Sequence, residues 1–408
     1  MDQRADCETY PGLAWATVAY SKGMNNLRLK IAIAIAKSAG LVSKSLGRGA
    51  GETLPGRVLL ALCPNAIKLL SASRVVILVS GTNGKTSTTK ELVTQVQTVG
   101  TVVTSGSGSN LTRGVAGALM QDSVFAVLEV DELHLPSVVA ATNPALVLLL
   151  NLSRDQLHRM HEVKRVASRW HEMCKGADTS TLFVADVDDP FVNFAITGAA
   201  SAVRVSFGGA SGGRHPDGAV CPSCGRYLDW IEGKYHCECG LSNEYADHTY
   251  ESGSAGYRNF VLASVAADLV GVHNSISNIA LRSDYRGMER ATEKVFAGVK
   301  ARLRLTKNPA SWTEALAGVT GDNVILVLNA REVDGIDTSW IWDVSYASLA
   351  GKKVVVTGER GADLAYRIHV EGVESTLVDT FDEAIAVFGL GSVEVLAAYT
   401  AFFELVNR

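Results

Sequence analysis

Residues 75–90 run Val-Val-Ile-Leu-Val-Ser-Gly-Thr-Asn-Gly-Lys-Thr-Ser-Thr-Thr-Lys. An apolar β-branched run, a glycine turn and a helix-compatible stretch, in that order, predict a buried strand feeding a phosphate loop and then a helix. Such a unit belongs to an open α/β sheet that binds its ligand at the carboxyl ends of the strands. Gly81 and Gly84 allow backbone N–H groups to wrap round phosphate oxygens, with Thr82, Asn83 and Ser87 completing the loop. Lys85 supplies charge for the β- and γ-phosphates, and Thr86 supplies a hydroxyl for Mg²⁺. The helix that follows points the positive end of its dipole at the same anion. Strict Walker spacing would need a glycine at Val79, and this loop has the shorter form Gly-Thr-Asn-Gly-Lys-Thr. The chain is expected to handle a nucleoside triphosphate.

A length of 408 residues exceeds what one core usually serves, so two or more domains are expected. The apolar runs Ile31–Ala36 and Ala145–Leu150 fall far short of the ~20 residues that span a bilayer. Asp2, Arg4, Asp6 and Glu8 near the N-terminus leave no signal-peptide core, which predicts a cytoplasmic protein not integral to a membrane. A net charge of −4 gives no general attraction to nucleic acid.

Residues 1–74 read as a largely helical lead-in, with a turn-rich break at Gly47–Gly56. Residues 75–300 read as an ATP-binding α/β domain with a parallel sheet, interrupted by a cysteine-bearing insert at 208–247. Its strands are expected at Val75–Val79, Phe125–Val130, Ala145–Leu150 and Thr181–Val184. A smaller α/β, Rossmann-like domain is expected over 301–408, starting near Arg302, with strands at Val324–Leu328, Lys353–Val356 and Val393–Ala397. The run Ser105-Gly106-Ser107-Gly108-Ser109 reads as a mobile loop beside the nucleotide.

Glu129, Asp131 and Glu132 stand where a central strand ends. A hard cation such as Mg²⁺ bridging to a triphosphate needs a carboxylate there, so Glu129 or Glu132 is expected to hold it. Strand alternation alone would put Glu129 and Asp131 on one face and Glu132 on the other. Cys221-x-x-Cys224 and Cys237-x-Cys239, twelve residues apart, form two knuckles suited to a closed tetrahedral Zn²⁺ site. The second knuckle is one residue short, which leaves His236 as a substitute ligand. From Arg214 to Asp247, three basic residues face six acidic ones, which opposes a phosphate-binding role for this ribbon. Asp334, Asp337 and Asp343 lie with Trp340 and Trp342 in one C-terminal loop; turn capping is the plain reading of such aspartates.

The short phosphate loop resembles that of the Mur ligases and folylpolyglutamate synthetases. Val-Leu-Glu-Val-Asp-Glu at 127–132, Asn-Leu-Ser-Arg-Asp-Gln-Leu-His-Arg at 151–159, Lys-Asn-Pro-Ala at 307–310, the aspartate-tryptophan loop and the four-cysteine insert are similar in combination to the MurT branch of that family. The resemblance implies a Mur-ligase central domain that uses ATP and Mg²⁺ to make an acyl phosphate. It implies amidation of the D-glutamate α-carboxylate in the lipid II stem peptide, with ammonia supplied by a GatD-type glutamine amidotransferase partner. Asn151, Arg154 and Asp155 are then expected at the nucleotide site, Asn110 and Arg113 beside the phosphates, and Asn259 on the adenine side. One of the three loop aspartates, Asp337 first, would be lent in trans to the partner's Cys-His pair. Three departures bear on this. Gln156 stands where amino-acid-adding relatives carry a second-metal histidine, with His158 two places on as a surface residue. The stretch Tyr257-Arg258-Asn259-Phe260 keeps only the first of two usual asparagines, and Arg286 to Arg290 replaces a Gly-Arg pair. The competing readings are a stand-alone amino-acid ligase and a non-enzymatic zinc-ribbon adaptor switched by ATP.

Overall fold

A computed structural model of the chain describes residues 27–45, 53–105, 110–154, 163–210, 214–273, 275–276, 279, 291–332 and 334–408. They fall into two units, Met1–Leu152 with Val166–Gly287, and Ser153–Arg165 with Met288–Arg408.

The first unit opens with α1 (Leu27–Ser45), α2 (Thr53–Leu62) and α3 (Ala66–Ser71). The break expected at Gly47–Gly56 is shorter than the sequence suggests, because Thr53–Gly56 form the first turn of α2. Pro55 is tolerated there, where a helix has no partner for its N–H groups. Gly56 has a packing reason: a Cβ on it would lie 1.8 Å from the Arg113 carbonyl oxygen.

The sheet of this unit contains β1 (Val75–Ser80), β2 (Val102–Thr104), β3 (Phe125–Glu129), β4 (Leu146–Leu149), β5 (Leu182–Asp186), β6 (Ala202–Ser206) and β9 (His248–Thr249). Between β6 and β9 the chain makes the antiparallel pair β7 (Asp229–Ile231) and β8 (Lys234–His236). Strand order is β2-β3-β1-β4-β5-β6-β9, and every pairing is parallel. From β1 the chain first builds outward through β3 and β2, then crosses to β4, so the topological switch point lies at β1. Ile77, Leu78 and Val79 are all fully buried, as strands covered on both faces require. The connecting helices are α4 (Lys85–Val96), α5 (Thr112–Ala118), α6 (Leu135–Thr142), α7 (Val163–Gly176), α8 (Pro190–Ile196) and α9 (Ala255–Leu269). Helix α9 starts at Ser254, whose hydroxyl accepts from the Tyr257 N–H, and buries Phe260, Val261 and Leu262 in the main core.

The second unit holds β10 (Ala291–Phe296), β11 (Val299–Leu305), β12 (Asn323–Val327), β13 (Lys353–Thr357), β14 (Thr376–Leu377) and β15 (Gly391–Ala397), in the order β10-β11-β15-β12-β13-β14. Only β10 with β11 is antiparallel. This hairpin begins eleven residues before the expected start at Arg302. Its edge strand, Ala-Thr-Glu-Lys-Val-Phe, has no fully buried residue and so gives little periodic signal. Ala297 and Gly298 both take positive φ, the requirement of a two-residue hairpin turn. Two cores flank the sheet, one around Trp312, Leu326 and Tyr346, the other around Leu303, Ile325 and Phe402.

Candidate active site and metal centre

The phosphate loop leaves β1 at Ser80, at the switch point, and enters α4 at Lys85. Gly84 has φ +84°, and a Cβ on it would meet the Asn259 amide at 2.3 Å. Gly81 is closed in from the other side, where a Cβ would lie 2.9 Å from Leu150. Both glycines are thus demanded by close neighbours as well as by backbone conformation. Asn151 locks the loop: its Oδ1 accepts from the Asn83 N–H at 2.9 Å, its Nδ2 donates to the Asn83 carbonyl at 3.0 Å, and its own carbonyl accepts from the Thr82 N–H at 2.8 Å. The N–H groups at the start of α4 have no acceptor in the preceding turn of the helix itself, the arrangement that suits an anion.

Lys85 is nearly buried, and its Nζ sits 3.2 Å from Glu132 Oε2, with the Gly81 and Thr82 carbonyls also within reach. Thr86 Oγ1 donates to Glu129 Oε2 at 2.8 Å. Glu129 and Glu132 are 7% and 6% exposed, burial at which a carboxylate needs a partner. Alternation along an ideal strand would separate them. They converge because β3 ends at Glu129 and a turn follows, in which Asp131 accepts from the Leu133 N–H. The Asp131 N–H donates to the Asn110 carbonyl, and the Glu132 carbonyl accepts from Trp170 Nε1, a fully buried ring on α7. The set Lys85, Thr86, Glu129 and Glu132 has the donors for a triphosphate with its Mg²⁺: an ammonium and N–H groups for phosphate oxygens, a hydroxyl and carboxylates for the cation. Ser87 is half-buried in the first turn of α4, and Arg113 is exposed in the first turn of α5. Residues 106–109, Asp155, Gln156, His158 and the stretch Arg286–Arg290 lie outside the described residues.

Sequence reading passed over the run Asp186-Val187-Asp188-Asp189-Pro190 after β5. Asp189 caps α8, accepting from the Phe191 and Val192 N–H groups, and also accepts from the Leu152 N–H at 2.7 Å, next to Asn151. Arg258 reaches Asp186 at 2.6 Å and Asp188 at 3.3 Å, donates to the Gly209 carbonyl, and lies over the Phe207 ring at 4.3 Å. Burial pushes Asp186 up to about 6, against the pull of Arg258. Arg258, just ahead of Asn259, is therefore a buried structural cation. Its neighbour Asn259 faces the phosphate loop. The acidic run ahead of a proline was the available signal, since Asp-Pro marks a helix start.

The insert folds as a ribbon. Cys221 and Cys237 are buried, Cys224 and Cys239 exposed, and all four Sγ atoms lie within 4.8 Å of one another. Cys221 to Cys239 is 3.7 Å and Cys224 to Cys237 is 3.4 Å. Four thiolates at Zn–S distances near 2.3 Å would be about 3.8 Å apart, so the cluster fits tetrahedral zinc. Gly225 and Gly240 turn each knuckle with φ of +80° and +91°. His236 is not among these four ligands. The ribbon is tied to the run after β5 and to α8: Tyr235 donates to the Val187 carbonyl, Asn243 to Asp188, and Asn193 of α8 to Tyr235.

In the second unit the three aspartates separate by environment. Asp334 is buried and accepts from the Thr400 N–H at 2.7 Å, Thr400 Oγ1 at 2.6 Å and the Arg331 N–H. Asp343 pairs with Arg154 at 2.7 Å. Asp337 is exposed, accepts from the Ser339 N–H at 2.8 Å, and stands near Ile336 and Trp342 in sequence, which are 59% and 51% exposed. In the Lys-Asn-Pro-Ala motif, Asn308 caps the helix Pro309–Ala317 in a capping box with Ser311.

Residues 79–219, which carry the phosphate loop and the two buried glutamates, match the Mur ligase middle domain. Residues 305–402 match the MurT ligase C-terminal domain. The chain is thus similar to the Mur ligases and, over its C-terminal part, to the MurT branch. It is 27% identical over 403 residues to the lipid II isoglutaminyl synthase (glutamine-hydrolyzing) subunit MurT of Staphylococcus aureus (strain N315), covering 86% of this chain and 90% of that one. To the subunit of the same name from Streptococcus pneumoniae (strain ATCC BAA-255 / R6) it is 26% identical over 438 residues, covering 93% and 96%. The fold is shared with MurF from Acinetobacter baumannii at a TM-score of 0.60 and 16% identity, over 86% of this chain and 81% of that one.

Proposed function

We propose that this chain is the ATP-consuming subunit of a lipid II isoglutaminyl synthase. The observation that carries the reading is the pairing of Lys85 with Glu132 and Thr86 with Glu129 at the sheet's switch point, in a chain with a MurT-type C-terminal domain. ATP binds across Gly81–Thr86 with its phosphates on the α4 N-terminus. Lys85 exchanges Glu132 for phosphate oxygens, and Glu129 with Thr86 would hold Mg²⁺, which would supply positive charge to the triphosphate. Asn151 keeps the loop in its binding shape, and Asn259 lies on the adenine side. The D-glutamate α-carboxylate of the lipid II stem peptide attacks the γ-phosphorus and ADP leaves. Ammonia then attacks the acyl carbon and phosphate leaves, giving D-isoglutamine.

Ammonia comes from glutamine on a GatD-type partner, for whose histidine Asp337 supplies the orienting carboxylate. Asp337 is exposed beside the exposed side chains of Ile336 and Trp342, a place a partner surface can reach, whereas Asp334 is buried. Zinc at Cys221, Cys224, Cys237 and Cys239 is structural. The functional domains are 1–74, 75–300 with the ribbon at 208–247, and 301–408, and the protein works in the cytoplasm. The test is co-expression with its glutaminase partner and assay of lipid II amidation with glutamine and ATP. Glutamine- and ATP-dependent conversion to the D-isoglutamine form is expected. ATP turnover without amidation would return the chain to a switch or adaptor role.

A further inference from the structure

Helix α1 is apolar on two opposite sides. Leu29, Ala32, Ala36 and Gly40, at the spacing of one helical face, are buried, and Gly40 lies against Pro55 of α2. The opposite side carries Leu27, Ile31, Ile35, Leu41 and Val42, each 48–71% exposed. One exposed leucine is ordinary, but five large apolar side chains along one stripe of one helix mark an interaction surface. The flanks are basic: Arg28, Lys30 and Lys37 are exposed, and no Asp or Glu occurs from Leu27 to Ser45. Over residues 27–62 six basic residues face Glu52 alone, in a chain whose net charge is −4. Four cations in 19 residues leave α1 too polar to span a bilayer, and no helix among the described residues is long and apolar enough to do so. An apolar stripe edged by lysines is the pattern of a helix lying in a headgroup layer.

We propose that this face of α1 seats the protein on an anionic bilayer surface. A second copy of the chain would set two basic faces against each other, which like-charge repulsion opposes. The inference rests on the lipid-linked acceptor of the proposed function for its purpose, and the fold supports that purpose. α2 packs through Gly56 on the Arg113 carbonyl of α5, and α5 follows Asn110, whose carbonyl accepts from Asp131 in the carboxylate turn. A membrane-bound α1 would thus hold the phosphoryl-transfer site close to a headgroup-attached peptide.

Cosedimentation of the full chain with extruded vesicles tests this, using phosphatidylglycerol mixed with phosphatidylcholine against phosphatidylcholine alone. Binding to the anionic vesicles is expected to be at least about tenfold stronger, and to weaken as salt rises. Ile31→Glu with Ile35→Glu, both at solvent-facing positions, should abolish it. Lys30→Ala with Lys37→Ala should weaken it on the order of tenfold, and decides the matter if the glutamate pair lowers thermal stability. No binding to anionic vesicles, or unchanged binding by the lysine variant, overturns the proposal. So does a wild-type dimer in light scattering that the glutamate pair converts to monomer. Amidation of detergent-solubilised lipid II is read in parallel. For the wild-type chain, amidation without vesicle binding condemns the membrane contact alone, and vesicle binding without amidation condemns the catalytic reading alone.

Discussion

At the residue scale, the site rests on charges that hold one another in place. A buried ammonium needs a counter-charge, and Glu132 provides it for Lys85. Lys85→Ala should lower amidation by more than about 100-fold, the cost of losing a preorganised charge at the reacting phosphate. Removing the partner of Glu132 should cost about 1–3 kcal/mol of stability, so thermal melting run beside the assay should find a folded protein. Wild-type amidation by this variant would end the ATP-ligase reading. The loop aspartates invite a paired test. Asp337→Asn should reduce glutamine hydrolysis by the complex and spare amidation driven by free ammonia, because an amide cannot balance an imidazolium. The equivalent change in a serine triad costs about 10⁴-fold. Asp334→Asn should instead lower the melting temperature, since its carboxylate accepts three hydrogen bonds at the start of the last helix. Loss of both reactions in Asp337→Asn would move that residue to the ligase site.

At the scale of elements, the cysteine ribbon is a brace for the turn after β5. Its hairpin reaches that turn through Tyr235 and Asn243, and the turn reaches the phosphate loop through Asp189, Leu152 and Asn151. Chelation of the bound metal should therefore release about one zinc per chain and lower the melting temperature, by roughly 5–10 °C for a loss of 2–3 kcal/mol. Metal analysis that found no zinc, or iron in its place, would count against the assignment. Arg258 belongs to the same brace. Its guanidinium is spent on Asp186, Asp188 and the Gly209 carbonyl.

At the scale of the whole molecule, the described residues offer no constellation for glutamine hydrolysis: Cys63 and Cys174 are buried, and burial pushes the Cys174 thiol far up. Purified alone with ATP, Mg²⁺, lipid II and ammonium, the chain should make the amide. With glutamine in place of ammonium it should make none until the partner is added. Glutamine use by the isolated chain would refute the division of labour.

Adjacent residues alone specify the phosphate loop, the cysteine knuckles and seven of the buried strands to within a residue or two, because each is local: a glycine turn, a thiolate spacing and a buried apolar run carry their physical reason in neighbouring residues. Tertiary structure decided what depends on distant partners. Glu129 and Glu132 meet only because β3 stops where it does, Asn151 acts on a loop 68 residues earlier, and three similar aspartates part company according to whether Thr400, Arg154 or the Ser339 N–H lies opposite. The edge hairpin at Ala291–Leu305 escaped sequence reading for the same reason, since an exposed strand is defined by the neighbour it pairs with and hardly at all by its own pattern.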